Sequence, residues 1–335
     1  MKKIIYYALL LFFIIIILPL LVVRGCSANT IHEYEEEKIT GQESEMVRVL
    51  DTKEDKVLEM DLEQYVRGVV AAEMPADFEL EALKAQAVAA RTYMLGRVNG
   101  IYGSKDDVHK GANICTNPAH CQAWISKQDA YKRWSAFSAK ANWDKITRAV
   151  VETKGIIIKY NNVIANPFYH SNSGGRTENI EDVWGGRSIP YLKSVESRGE
   201  EAAKEYKKTI SLKEEDFVKK LEEEYGELEF EEDVFIDNIE ILTFTEGGRI
   251  NTLKVGNKVM KGTDIRRIFS LNSANFKIEE KKKTIYITTV GNGHGVGMSQ
   301  WGANHLAKEG MDFQEILKYY YKGVELETDA AFNAE

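Results

Sequence analysis

Apolar and polar positions divide the chain into a hydrophobic N-terminal segment, an acidic stretch and a long mixed segment. Residues 4–23 are twenty consecutive positions without a charged side chain. At about 1.5 Å per residue they span roughly 30 Å, the thickness of the hydrocarbon core of a bilayer. Lysines precede this segment and Arg24 follows it, which favours a cytoplasmic N-terminus and an external body. The pattern predicts a cytoplasmic tip and a single-pass membrane anchor over residues 1–25.

A cleaved signal peptide is the alternative to a retained anchor, but the apolar segment is longer than a usual signal-peptide core. A lipid anchor at Cys26 is disfavoured, because Arg24 fits poorly in a lipoprotein cleavage site. Residues 26–45 are polar and rich in glutamate, which predicts a solvated linker.

The mixed segment, residues 46–325, predicts one α+β domain with helices around a cleft, followed by a tail over residues 326–335. Alternation predicts strands at 46–51 and 56–60, with Asp61 as the N-cap of the next helix. Strands and turns dominate residues 205–289, which predicts an inserted β-rich subdomain.

Residues 65–98 contain the main candidate for chemistry, Glu73. A small-residue apolar helix leads to this glutamate and should end there, because Met74-Pro75 follows at once. An alanine-rich helix is predicted to begin near Asp77. Lys84 and Arg91 lie two turns apart on one face of that helix, where we expect them to border a polar cleft and bind carboxylates of a substrate.

Two further stretches predict local structure. Residues 127–148 read as one helix. Residues 156–160 and 163–165 form a hairpin signal, with Asn161-Asn162 supplying the left-handed positions of the turn.

A group of cysteines and histidines follows the alanine-rich helix. Cys115 and Cys121 lie within sixteen residues that also contain His109 and His120. Such a group could bind zinc through both thiolates and one or both imidazoles. The alternative is a Cys115–Cys121 disulfide, which an external compartment permits. The formal net charge of −8 and the short basic runs give no sign of nucleic-acid binding.

Three segments together resemble one known family, the stage II sporulation protein D (SpoIID/LytB-type) lytic transglycosylases. They are VVAAEMP with ALKAQAVAARTY, FYHSNSGGRTENIEDVWGG, and GNGHGVGMSQWGANHLA. The resemblance implies cleavage of peptidoglycan between N-acetylmuramic acid (MurNAc) and N-acetylglucosamine (GlcNAc), with 1,6-anhydro-MurNAc ends and Glu73 as the acid and base.

The same resemblance implies further site residues and partners. His120 and Trp124 would lie beside the cleft, as would Tyr191 and Lys193, while Glu200 stands where the family usually has aspartate. Clostridial members carry zinc at a matching pair of cysteines, which favours His109, Cys115 and Cys121 as ligands. The implied substrate is peptide-stripped glycan in the sporulation septum during engulfment, with sporulation proteins M and P as partners and a possible homodimer. A zinc-dependent amidase and a non-catalytic glycan-binding scaffold are the alternative functions.

Overall fold

The computed structural model describes residues 45–102, 107–232 and 234–329, together with the single position 13. The predicted anchor, linker and most of the tail lie outside the described residues. No helix among the residues described is long and apolar enough to cross a membrane.

Helices and strands are mixed along the chain, as expected for an α+β fold. The α-helices are α1 Leu62–Glu73, α2 Leu80–Val98, α3 Lys127–Arg133, α4 Ala139–Val151, α5 Ile180–Trp184, α6 Glu214–Tyr225, α7 Gly262–Ile268, α8 Gln300–Lys308 and α9 Phe313–Tyr320.

The strands form several small sheets rather than one large one. In chain order they are β1 Met46–Asp51, β2 Lys56–Asp61, β3 Ile114–Cys115, β4 Ile156–Tyr160, β5 Val163–Ile164, β6 Tyr169–His170, β7 Lys207–Lys213, β8 Ile239–Phe244, β9 Ile250–Val255, β10 Lys258–Lys261, β11 Phe276–Lys281, β12 Thr284–Val290, β13 Met298–Ser299 and β14 Glu325–Thr328. The sheet orders are β2-β1-β3, β14-β4-β5, β13-β6, β11-β12-β7 and β10-β9-β8.

Helix α2 lies at the centre of the main hydrophobic core. Its alanines, from Ala82 to Ala90, are almost all buried and allow close approach of the neighbouring helices. A second core lies among the later strands and α6, where Phe217 and Phe269 stack with ring centroids 4.7 Å apart. The residues predicted as a β-rich insert therefore have a hydrophobic core of their own.

Two local predictions are confirmed. The Asp61 side chain accepts a hydrogen bond from the backbone N–H of Gln64 at 2.9 Å, so it caps α1 as expected. Strands β4 and β5 pair as a hairpin, and Asn161 and Asn162 both adopt positive φ, 49° and 62°.

Two helix predictions are wrong. Helix α2 begins at Leu80 with Glu79 at its N-cap, not near Asp77, because Pro75 and Phe78 form a turn first. Residues 127–148 are two helices, not one. The break lies at Trp134–Ser138, where the Ser135 and Ser138 hydroxyls hydrogen-bond to each other at 2.8 Å.

The substrate-binding roles predicted for Arg91 and Lys84 do not fit the structure. Arg91 is fully buried and forms a bidentate ion pair with Glu63 on α1, at 2.7 and 2.6 Å. Lys84 lies between Glu81 and Glu152, at 2.7 and 2.6 Å, with 13% of its side chain exposed. Both cations already neutralise carboxylates of the fold, so neither is available to bind a carboxylate of the substrate.

The Arg91–Glu63 pair generates a stability prediction. Arg91→Met should lower the free energy of unfolding by about 3–5 kcal/mol, because it leaves the Glu63 carboxylate buried without a counter-charge. Urea denaturation at neutral pH measures this loss.

Lys140→Met is the matched control, since Lys140 pairs with Asp144 at the surface and should contribute less than about 1 kcal/mol. The double variant Glu63→Leu/Arg91→Met should recover most of the loss. Equal, small effects of Arg91→Met and Lys140→Met would contradict a stabilising role for the buried pair.

Candidate active site

Glu73 is the last residue of α1, as its sequence position predicts. Met74 follows in an extended conformation, with φ −118° and ψ 143°, and Pro75 comes next. Proline disfavours helical geometry in the residue before it, so the helix ends here. The carboxylate is therefore presented at the end of an element whose other side chains are mostly in the core.

Two donors from distant parts of the chain hold the Glu73 carboxylate. The backbone N–H of Ala123 donates to Oε1 at 2.8 Å. The side-chain amide of Gln300, the first residue of α8, donates to Oε2 at 3.4 Å and also lies 3.4 Å from Oε1 of Gln86. Gln86 on α2 therefore orients the amide that contacts Glu73.

The pKa of Glu73 is raised above its ordinary value of 4.5. The larger cause is burial of the carboxyl group, which penalises its charged form, and the hydrogen bonds from Ala123 and Gln300 oppose that rise. In the described part of the chain, no second carboxylate hydrogen-bonds to Glu73 or contributes to this shift. The residue keeps partial solvent exposure, so a ligand can reach it.

Gly68 in the middle of α1 allows the Ala123 segment to approach. A Cβ atom built on Gly68 would lie 2.1 Å from Nε1 of Trp124, so the indole packs directly over this position. The backbone N–H of Ile125 also donates to the carbonyl of Gly68 at 3.2 Å. The absence of a side chain at residue 68 thus brings Ala123 within reach of Glu73.

A buried polar network lies beside the carboxylate. The Tyr169 hydroxyl donates to Oε1 of Gln122 at 2.6 Å, and Nε2 of Gln122 donates to the Tyr65 hydroxyl at 3.2 Å. Burial raises the pKa of both tyrosines well above their ordinary value, so the phenols stay neutral. The network fixes Gln122 and with it the backbone of the neighbouring Ala123.

The cysteines and histidines predicted as metal ligands are brought together, and His120 joins them. The donor atoms of His109, Cys115, His120 and Cys121 all lie within 4.8 Å of one another, and both cysteines are free thiols. His120, predicted to line the cleft, is thus part of this group, called here the Cys–His cluster. Its four donor atoms face one another, and the predicted role of His120 in substrate binding stays a prediction.

The sulfur–nitrogen distances within the Cys–His cluster fit a tetrahedral metal, and the two imidazole nitrogens lie slightly closer together than such a site requires. Zinc bonds of about 2.0–2.3 Å imply separations of about 3.3–3.8 Å between ligand atoms. The observed separations are 3.1 Å between the imidazoles and 3.4–3.5 Å from the sulfurs to ring nitrogens. Burial raises the pKa of Cys115 to about 11, a rise that a bound dication would reverse.

Glu200 organises the loop and helix on the other side of the site. Its buried carboxylate accepts backbone N–H bonds from Ser173, Gly174 and Gly175, at 3.0, 2.7 and 3.1 Å. It also accepts from the hydroxyl of Ser299, which caps α8 by accepting from the Gly302 N–H at 3.1 Å. Glu200 therefore fixes the start of the helix that carries Gln300.

Known proteins are similar in sequence to this chain over most of its length. The family described as Stage II sporulation protein, SpoIID, matches residues 51–160. Stage II sporulation protein D of Bacillus subtilis (strain 168) is 40% identical over 292 residues, which cover 86% of this chain and 80% of that protein. The chain belongs to the SpoIID family. The family resemblance of the three sequence motifs is thereby confirmed.

Other relatives differ in how much of their length the chain covers. Stage II sporulation protein D of Bacillus amyloliquefaciens is 38% identical over 308 residues, covering 91% of this chain and 86% of that protein. The amidase enhancer of Bacillus subtilis (strain 168) is 28% identical over 78% of this chain, but only 40% of its own length is covered. Similarity to the SpoIID proteins is thus nearly end to end.

Tyr191 and Lys193, predicted as substrate-binding residues of this SpoIID chain, have partners other than the Glu73 carboxylate. The Tyr191 hydroxyl accepts the backbone N–H of Asn166 at 2.8 Å, and the Lys193 ammonium pairs with Glu181 on α5. Among the described residues, no hydrogen bond or ion pair joins either side chain to Glu73. Lys193 keeps 37% side-chain exposure, and its predicted role in binding stays a prediction.

A serine–histidine pair occurs in this SpoIID fold, but it is inaccessible. The Ser173 hydroxyl lies 2.8 Å from Nε2 of His170, whose Nδ1 donates to the Val296 carbonyl at 3.2 Å. Their exposed fractions are 2% and 5%, and burial holds the pKa of His170 well below its ordinary value. This histidine is a neutral structural residue.

Sequence reasoning missed Gln300, Gln86 and the Ala123 N–H. Gln300 lies within the GMSQWGA segment, which carries the family resemblance but gives no sign of a role for the glutamine. A backbone donor such as Ala123 has no residue-type signal at all. These contacts span 50 and 227 residues of chain, so only the fold shows them.

The raised pKa of Glu73 predicts how stability depends on pH. Its folded-state pKa lies above the unfolded value, so its contribution to stability is present at low pH and is lost as pH rises through the folded pKa. Glu73→Gln should therefore unfold at higher urea concentration than the wild type at about pH 7–8, and the gain should vanish towards about pH 4.

Glu79→Gln, which replaces an exposed glutamate at the N-cap of α2, is the matched control. A Glu73→Gln variant that is less stable than wild type across the whole pH range would show that the ionised carboxylate is favoured by the fold.

Proposed function

We propose that this chain is a lytic transglycosylase that cleaves the MurNAc–GlcNAc bond of peptidoglycan and leaves 1,6-anhydro-MurNAc ends. The observation that carries the proposal is Glu73, a single partly exposed carboxyl group with a raised pKa and two fixed donors. Ordinary glycosidases need two carboxylates at a defined separation. A transglycosylase needs only one, because the substrate supplies its own nucleophile.

In the first step, protonated Glu73 acts as the general acid. It gives its proton to the glycosidic oxygen as the bond from that oxygen to C1 of MurNAc breaks, and GlcNAc leaves with the proton. Burial raises the pKa of Glu73, which favours the protonated form that this step needs. Positive charge develops on C1 of the muramyl ring.

In the second step, ionised Glu73 acts as the general base. It takes the proton of the 6-hydroxyl of the same muramyl residue as that oxygen bonds to C1 and closes the anhydro ring. The Ala123 N–H and the Gln300 amide stabilise the carboxylate between the two steps. Glu73 ends the cycle protonated, so no water is consumed.

The proposal includes the cellular setting predicted from the sequence. The two Bacillus relatives are named stage II sporulation protein D. We infer that the chain acts from the outer face of a membrane on septal peptidoglycan during engulfment. Its substrate would be glycan from which an amidase, sporulation protein P, has removed the peptides, and sporulation protein M would be a membrane partner.

We further propose that the Cys–His cluster binds one Zn²⁺ through His109, Cys115, His120 and Cys121. Four protein ligands leave no open position, which is the pattern of a structural site. Cys121 lies two residues before Ala123, so the metal would hold the segment that donates to Glu73. Its contribution would be to the position of that donor, not to bond cleavage.

Metal analysis tests the zinc proposal. The purified chain should contain about one zinc per molecule, and Cys115→Ser and Cys121→Ser should each lose most of it and lower the thermal midpoint. Cys26→Ser is the matched control and should keep the metal. Unchanged zinc content in the Cys115 and Cys121 variants would contradict this site.

Product analysis tests the activity. Mass spectrometry of peptide-stripped glycan digested by the wild-type chain should show anhydro-muramyl ends, and Glu73→Gln should lower their yield at least about 10²-fold. The reason is that glutamine can neither give nor take the proton.

Glu79→Gln is the control and should cleave like the wild type. Production of anhydro-muramyl ends by the Glu73→Gln variant would contradict the mechanism. Chelator-sensitive release of peptides would indicate the zinc amidase instead, and saturable binding without products would indicate a scaffold.

A further inference from the structure

A cavity of about 260 Å³ lies between helix α5 and the β-rich residues of the second core. Trp184 and Gly185 line one side, His294 lines another, and Arg249, Lys261 and Arg266 line the side contributed by the second core. Glu73 is not part of this lining. Pockets that enclose a whole ligand are usually about 300–1,000 Å³, so this one fits a single ring or substituent.

Each acid of this cavity has at least one partner, although Oε2 of Glu178 and Oε2 of Glu181 accept no hydrogen bond among the described residues. Glu178 pairs with Arg249 at 3.1 Å, Glu181 pairs with Lys193, and Asp182 accepts from the Asn179 amide at 2.9 Å. Arg249 is 3% exposed, and its Nε has no hydrogen-bond partner among the described residues. The cavity therefore contains a buried guanidinium with an unused donor.

Arg266 supplies a second guanidinium. Its Nε donates to the Leu271 carbonyl at 3.3 Å, and no carboxylate in the described part of the chain forms an ion pair with it. Burial, together with the neighbouring Arg249, lowers the pKa of Arg266. Lys261 also has no carboxylate partner among the residues described. When Lys193, the partner of Glu181, is counted, four cations meet the three acids of this cavity, so the net charge is +1 and a bound anion would offset it.

Trp184 provides an aromatic surface at the same place. Its ring centroid lies 4.9 Å from that of Phe168 and 5.0 Å from that of His294, yet 51% of the residue is exposed. A rigid indole held from one side offers contact area to a ligand on the other at little entropic cost. The cavity thus combines a ring platform with cations that lack a counter-ion.

We propose that this cavity is a muramyl subsite, in which the lactyl carboxylate of a peptide-free MurNAc residue pairs with Arg266 while the sugar ring lies on Trp184. The inference rests on the proposed function. MurNAc is the sugar that combines a ring and a carboxylate once its peptide is removed, whereas GlcNAc has no carboxylate. Arg91 and Lys84 are already neutralised and cannot take this role.

A short stretch of chain links this cavity to the residues around Glu73. His294 lines the cavity and Gln300 contacts Glu73, and these residues are six apart in the chain. Six residues span at most about 20 Å. Binding at the cavity would therefore select strands whose muramyl residues are free of peptide.

Binding measurements in the Glu73→Gln background test the subsite without cleavage of the ligand. The full-length chain in detergent micelles is titrated with the peptide-free tetrasaccharide (GlcNAc–MurNAc)₂ and with chitotetraose, which lacks lactyl groups. Arg266→Gln should weaken binding of the muramyl tetrasaccharide at least about tenfold and leave chitotetraose unchanged. Arg266→Lys should restore part of the loss, and Trp184→Ala should weaken both ligands.

Arg267→Gln is the matched control, because the adjacent guanidinium is exposed and pairs with Glu224. It should change neither affinity. Unchanged binding in Arg266→Gln, or an equal loss for both oligosaccharides, would overturn the subsite. Displacement of the muramyl ligand by a free stem peptide but not by N-acetylmuramic acid would overturn it too, in favour of a peptide carboxylate.

The two proposals fail separately. If the wild-type chain makes no anhydro ends, the transglycosylase assignment fails whatever the affinities are. If it makes them while Arg266→Gln keeps full preference for the muramyl tetrasaccharide over chitotetraose, only the subsite fails.

Discussion

The two hydrogen bonds accepted by the Glu73 carboxylate are the constraint around which this fold is arranged. One donor comes from the loop after α2 and the other from the start of α8, so three segments far apart in sequence must meet at one group. Burial of a carboxyl group favours its neutral form, and solvation favours its ionised form. At Glu73 burial raises the pKa of the carboxyl group, and the two fixed donors oppose that rise by stabilising the ionised form.

Each donor has its own support. On one side, the Cys–His cluster, the Gln122 network and the packing of Trp124 over Gly68 hold the loop that contains Ala123. On the other side, the Glu200 carboxylate accepts hydrogen bonds from three backbone amides and from the hydroxyl of Ser299, which caps α8. Glu200 has no direct contact with Glu73, yet it fixes the helix that carries Gln300. The glycine-rich motifs therefore serve backbone placement more than direct chemistry.

Local signals were readable from the sequence, and long-range ones were not. Asp61 as a cap, the Asn161-Asn162 turn and the helix end at Glu73 depend on a few neighbouring residues, and all three are confirmed. The predictions for Arg91 and Lys84 failed because helical spacing shows only which face of the helix a cation occupies. It does not show that Arg91 pairs with Glu63 or that Lys84 pairs with Glu152. Gln300 and Ala123 were missed for the same reason, since their partner is distant in the chain.

The contact between Gly68 and Trp124 restricts substitution at residue 68. A single methyl group at residue 68 would overlap the indole, whose nearest atom lies 2.1 Å from the position of that carbon. The indole would have to move, and the backbone two residues from Ala123 is tied to residue 68 itself. Even alanine cannot replace glycine at this position without a structural shift, although residue 68 carries no functional group. A larger residue at position 68 would therefore require a compensating change in the segment of residues 124–125.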